Sequence, residues 1–324
     1  MVVLCAIWGF QQIAMKGAAA EVAPVLQIAI RSGLSAIMVA ALMRIRGQGL
    51  SPGLWRPGVV VGFLFGLEFI LVGEGLRRTS AAHMAVFLYT APIFAAIGLH
   101  LRIPTERLRP LQWAGIGLAF CGIAVAFLGH ARIAARASST SGDVMAVLAG
   151  AAWGFTTVAV RCSRLTSAPA TETLLYQLLG AFVMLLLTAM LTGQTGFHPT
   201  PMAWASLAFQ TLLVSFASYL TWFWLLRQYI ASRLGVFSFL TPLFGVAFGV
   251  GLLHEPLEAS FGAGAVLVLA GIILVSAAAW LAKRPATARH GEGSGQSLPT
   301  DKIDGARLTG PQRDRQRRLS GKVR

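Results

Sequence analysis

The sequence predicts an all-α integral membrane protein in which ten transmembrane helices form two inverted repeats of five. Of its 324 residues, 56% are hydrophobic and only 12% are charged, whereas a typical soluble domain carries about 25% charged residues. Mean hydropathy is +0.68. The apolar residues fall into blocks of about 20, the length of a helix that crosses ~30 Å of hydrocarbon. In addition, the second half of the chain repeats the first.

Each apolar block is expected to form one transmembrane helix. The blocks are 2–19, 24–43, 57–76, 80–101, 110–129, 144–163, 171–191, 204–226, 231–253 and 260–281. A polar stretch separates the fifth block from the sixth, which predicts a first repeat at 1–130, a linker at 131–143 and a second repeat at 144–282. The tail at 283–324 is basic and rich in Gly, Ser and Pro, and we expect it to be disordered.

Short motifs recur between the two halves at a nearly constant offset. Trp8-Gly9-Phe10 returns 145 residues later as Trp153-Gly154-Phe155. Pro92-Ile93-Phe94 returns 150 residues later as Pro242-Leu243-Phe244. Because five spans per repeat is an odd number, the second repeat must enter the bilayer from the opposite side. Duplicated, inverted membrane units are common among secondary transporters.

Basic residues predict the orientation. If the N-terminus is cytoplasmic, ten basic residues fall in inner loops: Arg44, Arg46, Arg56, Arg102, Arg107, Arg109, Arg161, Arg164, Arg227 and Arg233. Five then fall in outer loops: Lys16, Arg77, Arg78, Arg132 and Arg136. The tail holds 11 basic and 4 acidic residues, a net charge of +7 within the +15 of the chain. The positive-inside rule therefore predicts that both termini are cytoplasmic, and nucleic acid is not an expected partner.

Motifs in both halves resemble one transporter family. The order of Trp8-Gly9-Phe10, Lys16, Pro24 and Arg31 is similar to the EamA-type branch of the drug/metabolite transporter superfamily. The two Pro-Ile/Leu-Phe motifs match the ends of the family's repeats, as do Glu106 before Gly115 and Glu255 before Gly264. The resemblance covers residues 2–282, and it implies two EamA repeats in a multi-pass carrier of the bacterial inner membrane.

The family resemblance also implies an activity. Such carriers often export amino acids, other metabolites or toxic compounds, through a cavity between the first four helices of each repeat. Two departures lie where a substrate would be recognised. Phe10-Gln11-Gln12 replaces the usual small residue and Asn after Trp-Gly, and Tyr176 stands near the position equivalent to Arg31. The substrate is therefore not transferred from the family.

Polar residues of both repeats fall near the middle of the predicted helices. The rise of about 1.5 Å per residue converts sequence position into depth. Four polar residues of the first repeat lie roughly 10–13 Å below the outer boundary: Gln11, Arg31, Glu68 and Tyr89. Four of the second lie roughly 7–12 Å from the inner boundary: Thr156, Tyr176, Ser218 and Tyr219. We therefore expect a central cavity with a charged wall and an aromatic wall.

Arg31 and Glu68 are the sharpest candidates for substrate binding. A charge at the centre of a transmembrane helix costs about 2.5–3.5 kcal/mol on insertion scales, so it usually faces a partner or a wet cavity. One hypothesis gives a substrate carboxylate to Arg31, and a proton or a cationic group to Glu68. The alternative, with equal weight, is a structural ion pair that pins the second span to the third.

Other residues allow two interpretations each. Trp8 and Trp153 either pack or line the cavity. Pro92 and Pro242 interrupt hydrogen bonding inside their helices, so they either act as hinges or impose a static bend. Lys16 and Arg161 are expected to anchor helix ends, with gating as the minor alternative.

Three acidic residues outside the central layer have structural interpretations. Glu74 is expected to form an interfacial charge pair with Arg77 and Arg78. Glu106 and Glu255 are expected to be loop or helix-start residues, because acids favour helix N-termini.

The motifs that the sequence lacks bear on function. It contains no phosphate-binding loop and no zinc-protease or serine-hydrolase signature, so we expect no enzyme, no cofactor, no metal and no ATP-driven motor. The leading hypothesis is a secondary transporter that exports a small metabolite, such as an amino acid, by alternating access, with proton coupling through Glu68 as an addition. Its partners would be that metabolite and the lipid bilayer. The alternatives are a membrane enzyme that handles lipids and a non-transporting scaffold acting through the tail.

Overall fold

The computed structural model describes residues 1–104, 107–130, 140–228 and 240–282, which are almost entirely helical. The helices are α1 (Val2–Gly17), α2 (Pro24–Ile45), α3 (Trp55–Leu76), α4 (Ala81–Leu88), α5 (Ala91–Arg102), α6 (Pro110–His130), α7 (Thr140–Arg161), α8 (Ala170–Leu191), α9 (Pro201–Ala208), a π-helix (Phe209–Ser218), α10 (Tyr219–Gln228), α11 (Leu240–Leu253) and α12 (Ala259–Ala282). Within these ranges, β-structure is limited to one antiparallel bridge between Val22 and Phe197.

The apolar helices coincide with the predicted spans. Six helical stretches of 22 residues are long and apolar enough to cross a membrane: Pro24–Ile45, Trp55–Leu76, Ala81–Arg102, Thr140–Arg161, Ala170–Leu191 and Pro201–Trp222. Four shorter apolar stretches are Val2–Gly17, Pro110–Val125, Leu240–Leu253 and Ala259–Val275. The chain is therefore a multi-pass membrane protein, while the count of ten spans stays a prediction.

The repeat is visible in how equivalent helices end. After α2 the chain turns at Gly47 with φ 64°, and after α8 it turns at Gly193 with φ 69°. In both turns the next amide donates back into the helix, from Gln48 to the Met43 carbonyl and from Gln194 to the Ala189 carbonyl, each at 2.8 Å. This turn needs a left-handed residue, which glycine adopts without a steric penalty.

The two halves interleave, and most of the packing joins one half to the other. Helix α3 packs against α7 and α8, α2 against α8, α1 against α11, α5 against α7, and α6 against α12. Glycines set the closest approach. A Cβ placed on Gly180 of α8 would lie 2.4 Å from the Gly62 carbonyl of α3. The same closeness occurs at Gly150 and Gly154 against α4 and α5, and at Gly245 against Ala85, since small residues let membrane helices approach closely.

Two of the long helices are interrupted near their middle. The fourth span breaks at Tyr89–Thr90, just before Pro92, which has no amide hydrogen to donate to the Leu88 carbonyl. At the same break, the Thr90 hydroxyl donates to the Phe87 carbonyl at 2.7 Å. The eighth span contains the π-helix Phe209–Ser218, which no sequence pattern predicted. π-helical segments often occur at functional sites.

One predicted boundary needs correction. Helix α7 begins at Thr140, so Thr140–Asp143 form its first turn rather than the end of the predicted 131–143 linker. This places the Asp143 carboxylate at a helix N-terminus, where the helix dipole favours a negative charge. The rest of that linker, Glu106, the start of the ninth block and the tail lie outside the described residues.

Candidate functional site

A group of four ionisable side chains lies where the two halves meet, and we call it the central group. It consists of Arg31 on α2, Glu68 on α3, Tyr89 at the break between α4 and α5, and Tyr219 at the start of α10. Arg31 interacts electrostatically with Glu68 and Tyr219, and Tyr89 interacts with Glu68 and Tyr219. Four of the residues expected in a central polar layer are therefore neighbours in space.

Arg31 is buried with unused hydrogen-bonding capacity. Only 1% of the residue is exposed. Its guanidinium lies over the Phe69 ring, 4.6 Å from the ring centroid, an arrangement in which the ring's π-electrons attract the cation. Its Nε and Nη1 atoms have no hydrogen-bond partner among the described residues. The ring supports the charge from one side, and the donors are left for another group.

Glu68 is buried in the same way. It is 4% exposed, and its Oε2 has no hydrogen-bond partner within the described residues. In that part of the chain, Arg31 and Glu68 interact through their charges but do not form an ion pair with each other. A direct ion pair therefore does not join the second span to the third in this conformation, and the choice between a structural and a substrate-binding role for the two charges stays a prediction. Buried charges without partners are costly, so a partner from outside the protein fits them.

Aromatic side chains surround the central group. The Trp8 indole Nε1 donates to the Ser218 hydroxyl at 2.8 Å, and its ring lies edge-on to Trp222 at 5.6 Å. Trp153, the repeat-related tryptophan, lies edge-on to Tyr89 at 5.3 Å. Both tryptophans thus bridge the two halves. Trp153 thus contacts Tyr89 of the central group, and Trp8 contacts Ser218, which directly precedes Tyr219; a role of Trp8, Ser218 or Trp153 in substrate binding stays a prediction.

Two predicted site residues make contacts other than those expected. The Thr156 hydroxyl donates to the Ala152 carbonyl of its own helix at 2.9 Å. The Tyr176 ring packs so closely on α3 that a Cβ on Gly58 would lie 2.6 Å from it. Tyr176 therefore fills a helix interface near the start of α3, away from Arg31. Gln11 is buried in α1, and its hydrogen-bonding role in the site stays a prediction.

The structure adds residues that sequence reasoning missed. Phe69 lies under Arg31, and the buried Thr241 lies beside both Tyr89 and Cys5. Gln12 is buried with an Oε1 that no described residue contacts by a hydrogen bond. A buried Phe or Thr in an apolar span carries no pattern that separates it from the core. Thr241 had one weak signal, because a threonine precedes the repeated proline motif in both halves.

The predicted hinges can be placed in part. Pro92 is the second residue of α5, directly after the break that carries Tyr89, so that proline does mark a bend. Pro242 is buried in the first turn of α11, and the residues before Leu240 lie outside the described ranges. Whether either proline acts as a moving hinge stays a prediction.

The acidic residues outside the central group have partners at one end of the bundle. Glu74 pairs with Arg77 at 3.3 Å and with Arg78 at 2.6 Å, which confirms the interfacial charge pair. Glu255 pairs with Lys16 at 3.6 Å. In the described ranges, no three His, Cys, Asp or Glu side chains come together in a way that could hold a metal ion.

Similar proteins agree on one class of activity. Bacillus subtilis YoaV, named an uncharacterized transporter, is 23% identical over 83% of this chain and 92% of its own. Escherichia coli YedA, named an uncharacterized inner membrane transporter, is 23% identical over 85% of this chain and 89% of its own. Bacillus subtilis YvbV, another uncharacterized transporter, is 27% identical over 84% and 89%.

A solved crystal structure shares the fold. It matches with a TM-score of 0.60 at 20% identity, over 87% of this chain and 97% of its own. The EamA-like transporter family matches twice, at residues 1–128 and 140–277. The second match begins where α7 begins, so both halves are covered. Because these two matches together span most of the chain, the protein belongs to the EamA-like transporter family and is a membrane transporter of the drug/metabolite type.

Proposed function

We propose that this transporter exports a small zwitterionic metabolite, such as an amino acid, by alternating access. The observation that supports this proposal is that Arg31 and Glu68, two buried groups of opposite charge, keep buried atoms with no hydrogen-bond partner among the described residues. Arg31 offers guanidinium donors that suit a carboxylate. Glu68 offers a carboxylate that suits an ammonium group or a proton. A zwitterion supplies both partners at once, and it would bond to Arg31 and Glu68 atoms that have no hydrogen-bond partner among the described residues.

The surroundings of the two charges favour a substrate with an apolar part. Phe69 lies under the Arg31 guanidinium, Tyr89 and Tyr219 belong to the same group, and the Trp153 ring packs edge-on to Tyr89. Aromatic rings bury large apolar areas and stack on other rings. The group is built from α2 and α3 of one half and α10 of the other, so relative movement of the halves would expose it to each side in turn.

Export can be tested directly. The chain would be expressed in a bacterium that lacks its own exporters, and metabolites leaving the cell would be measured by mass spectrometry. Arg31→Ala and Glu68→Gln serve as controls of equal expression. A compound exported by the wild type alone would support the proposal. Equal export by all three would contradict a role for the central charges.

Proton coupling through Glu68 is a separate part of the proposal. If Glu68 carries the coupling proton, transport by the wild type depends on the proton gradient, and Glu68→Gln abolishes that dependence because glutamine does not titrate. Transport should be compared in proteoliposomes with and without an imposed pH difference. A Glu68→Gln variant that keeps both transport and its pH dependence would refute coupling at this residue.

The basic tail separates transport from a scaffold function. The two family matches end at residue 277, so we expect a chain lacking 286–324 to transport at the wild-type rate. Loss of transport in a well-inserted deletion variant would favour the scaffold alternative, in which the tail binds anionic lipid headgroups. Reporter domains fused to the C-terminus would test the proposed cytoplasmic location of both termini.

A further inference from the structure

One end of the bundle holds the first turn of α4 in a network of buried charges. The Glu255 carboxylate, from the loop between α11 and α12, accepts hydrogen bonds from the Ala81 amide at 2.7 Å and the Ala82 amide at 3.0 Å. The first amides of a helix have no partner within the helix, and the helix dipole favours an anion there. Glu255 thus caps a helix of the other half of the molecule.

Lys16 connects this cap to the end of α1. Its Nζ lies 3.6 Å from Glu255 Oε1 and donates a hydrogen bond to the Thr79 carbonyl. The Glu255 side chain is 9% exposed and that of Lys16 is 29% exposed. A partly buried pair of this kind is screened by salt much less than a surface pair. Lys16 is therefore more than a membrane anchor, because it holds a second-half acid against a first-half turn.

Asp143 of α7 holds the same turn from the other side. Its Oδ1 accepts a hydrogen bond from the Thr79 hydroxyl, and both carboxylate oxygens lie 3.1 Å from His83 Nδ1. Asp143 is 1% exposed. The His83 ring stacks on Phe261 of α12 with centroids 3.8 Å apart. We call the five residues Lys16, Thr79, His83, Asp143 and Glu255 the α4 clamp.

Backbones pack tightly around the clamp. A Cβ on Gly142 would lie 2.8 Å from the Thr79 amide nitrogen, and a Cβ on Gly249 would lie 2.7 Å from Glu255 Oε2. The Gly249 Cβ would also lie 3.3 Å from the Ala82 Cβ. At these two contacts α4 and the turn before it pack directly against α7 and α11, with no space for a substrate between the backbones.

We propose that the α4 clamp is the gate that closes this end of the substrate path, and that each transport cycle requires Glu255 and Asp143 to release the first turn of α4. The gate rests on the alternating access of the proposed function. Lys16, Thr79 and His83 belong to the first half, whereas Asp143 and Glu255 belong to the second. Any separation of the halves at this end must therefore break the clamp.

Helix α4 connects the clamp to the central group. It is only eight residues long, and it ends at the break that carries Tyr89. Tyr89 interacts electrostatically with Glu68 and lies beside Thr241. A short rigid helix between the clamp and the break would transmit a movement at either end to the other.

The sequence repeat places the same residue types at the opposite end of the bundle. Arg161 follows Lys16 by 145 residues, and Glu106 precedes Glu255 by 149 residues. These offsets match those of the repeated tryptophan and proline motifs. Glu106 lies outside the described residues, so a second clamp there is an expectation from the sequence repeat alone.

A disulfide across the clamp tests the gate. The variant Ala82→Cys/Gly249→Cys places two thiols where Cβ atoms lie close to the spacing of a disulfide, about 3.5–4.5 Å. It would be made in a chain whose exposed Cys121 and Cys162 are replaced by serine. We expect oxidation to form the cross-link and to reduce transport to background, and a reductant to restore it.

Two kinds of variant control for the effects of the substitutions themselves. They are the two variants with only one of the new cysteines, and Gly249→Ala, which adds the same Cβ without a thiol. Complete cross-linking with undiminished transport would overturn the gate, because the end would then never need to open. Failure of the cross-link to form in folded protein would overturn it too, since the closed contact would not be populated.

A second measurement tests the gate without requiring that the transported substrate be known. Cys5 is fully buried beside Thr241, next to the central group, and reports access without any transported compound. In the same serine background, we expect Glu255→Gln and Asp143→Asn to raise severalfold the rate at which a membrane-impermeant maleimide labels Cys5 from the clamp side. Glu74→Gln, which removes an acid from the same end outside the clamp, should leave the rate unchanged.

The labelling outcomes separate two kinds of failure. Unchanged labelling in both clamp variants would overturn the gate, whatever the substrate is. Raised labelling in a protein that exports no detectable metabolite would support the gate and leave the proposed substrate class as the part that failed.

Discussion

The central group and the α4 clamp both bury charged side chains, but they satisfy them differently. In the clamp, Glu255 accepts two backbone hydrogen bonds and faces Lys16, and Asp143 faces Thr79 and His83. In the central group, Arg31 and Glu68 keep buried atoms that have no hydrogen-bond partner within the described residues. The comparison suggests that saturated charges close the bundle, whereas unsaturated charges await a substrate.

Energetics favour this distinction. A buried charge that loses its partner costs several kcal/mol, so an unpaired one lowers stability unless a ligand repays the cost. A saturated charge at a helix N-terminus contributes to stability directly. Substitutions in the two regions should therefore have opposite signatures: large effects on transport in the central group, and large effects on stability in the clamp.

The largest expected effect is on transport, in Arg31→Met. A hydrogen bond to a charged group contributes about 1.5–3 kcal/mol, so losing the substrate carboxylate contact should reduce transport roughly 10- to 100-fold. Methionine fills similar space without a charge, so thermal stability in detergent should be unchanged or higher. Arg31→Lys keeps the charge but not the planar fork, and we expect an intermediate rate. A destabilised Arg31→Met protein would contradict the interpretation of Arg31 as an unsatisfied group.

The next largest effect is on stability, in Glu255→Gln. The variant replaces a charged acceptor of two amide hydrogen bonds and removes the attraction to Lys16. We expect the free energy of unfolding to fall by about 1–3 kcal/mol, with transport retained within a few-fold. Thermal unfolding in detergent, followed by intrinsic tryptophan fluorescence, measures the first quantity. A transport loss as large as that of Arg31→Met would remove the distinction between the two regions.

A smaller effect is expected at the aromatic edge of the central group. Trp8→Phe removes the 2.8 Å hydrogen bond to Ser218 and keeps much of the contact with Trp222. One neutral hydrogen bond contributes about 1 kcal/mol. The apparent substrate affinity should therefore fall about five-fold or less, or the free energy of unfolding should fall by about 1 kcal/mol or less. Ser218→Ala removes the same bond from the other side. The double variant should be no worse than either single one, and additive losses would show that the bond is not the cause.

The sequence predicted the elements of the fold better than the contacts between them. The positions of the apolar helices follow from local patterns, because the length and composition of each apolar block are properties of consecutive residues. Depth along each helix also brought Arg31, Glu68, Tyr89 and Tyr219 into one layer. Depth does not fix rotation about the helix axis, so it could not predict that the Thr156 hydroxyl bonds to its own helix or that the Tyr176 ring packs on Gly58.

The clamp shows a different limit of sequence reasoning. Lys16 and Glu255 are separated by more than two hundred residues, and nothing local to Glu255 indicates that it caps α4. The motif comparison did identify both residues as parts of the repeat. It could not show that each half supplies one member of a pair, because that depends on how the halves interleave.

The smallest expected effect comes from Glu74→Gln, which is the matched contrast to Glu255→Gln. Both acids lie at the same end of the bundle and both pair with a basic residue. The Arg77 and Arg78 side chains are 45% and 39% exposed, however, so water competes for their charges. Exposed ion pairs contribute about 0–1 kcal/mol, and Arg77 and Arg78 follow Glu74 by about one helical turn, so they stay close to it even when the halves separate. Glu74 also accepts a hydrogen bond from the Gln194 amide of the other half, which the glutamine side-chain oxygen can still accept. We therefore expect little change in thermal stability, transport or Cys5 labelling. An effect equal to that of Glu255→Gln would mean that loss of charge at this end, rather than release of α4, controls the protein.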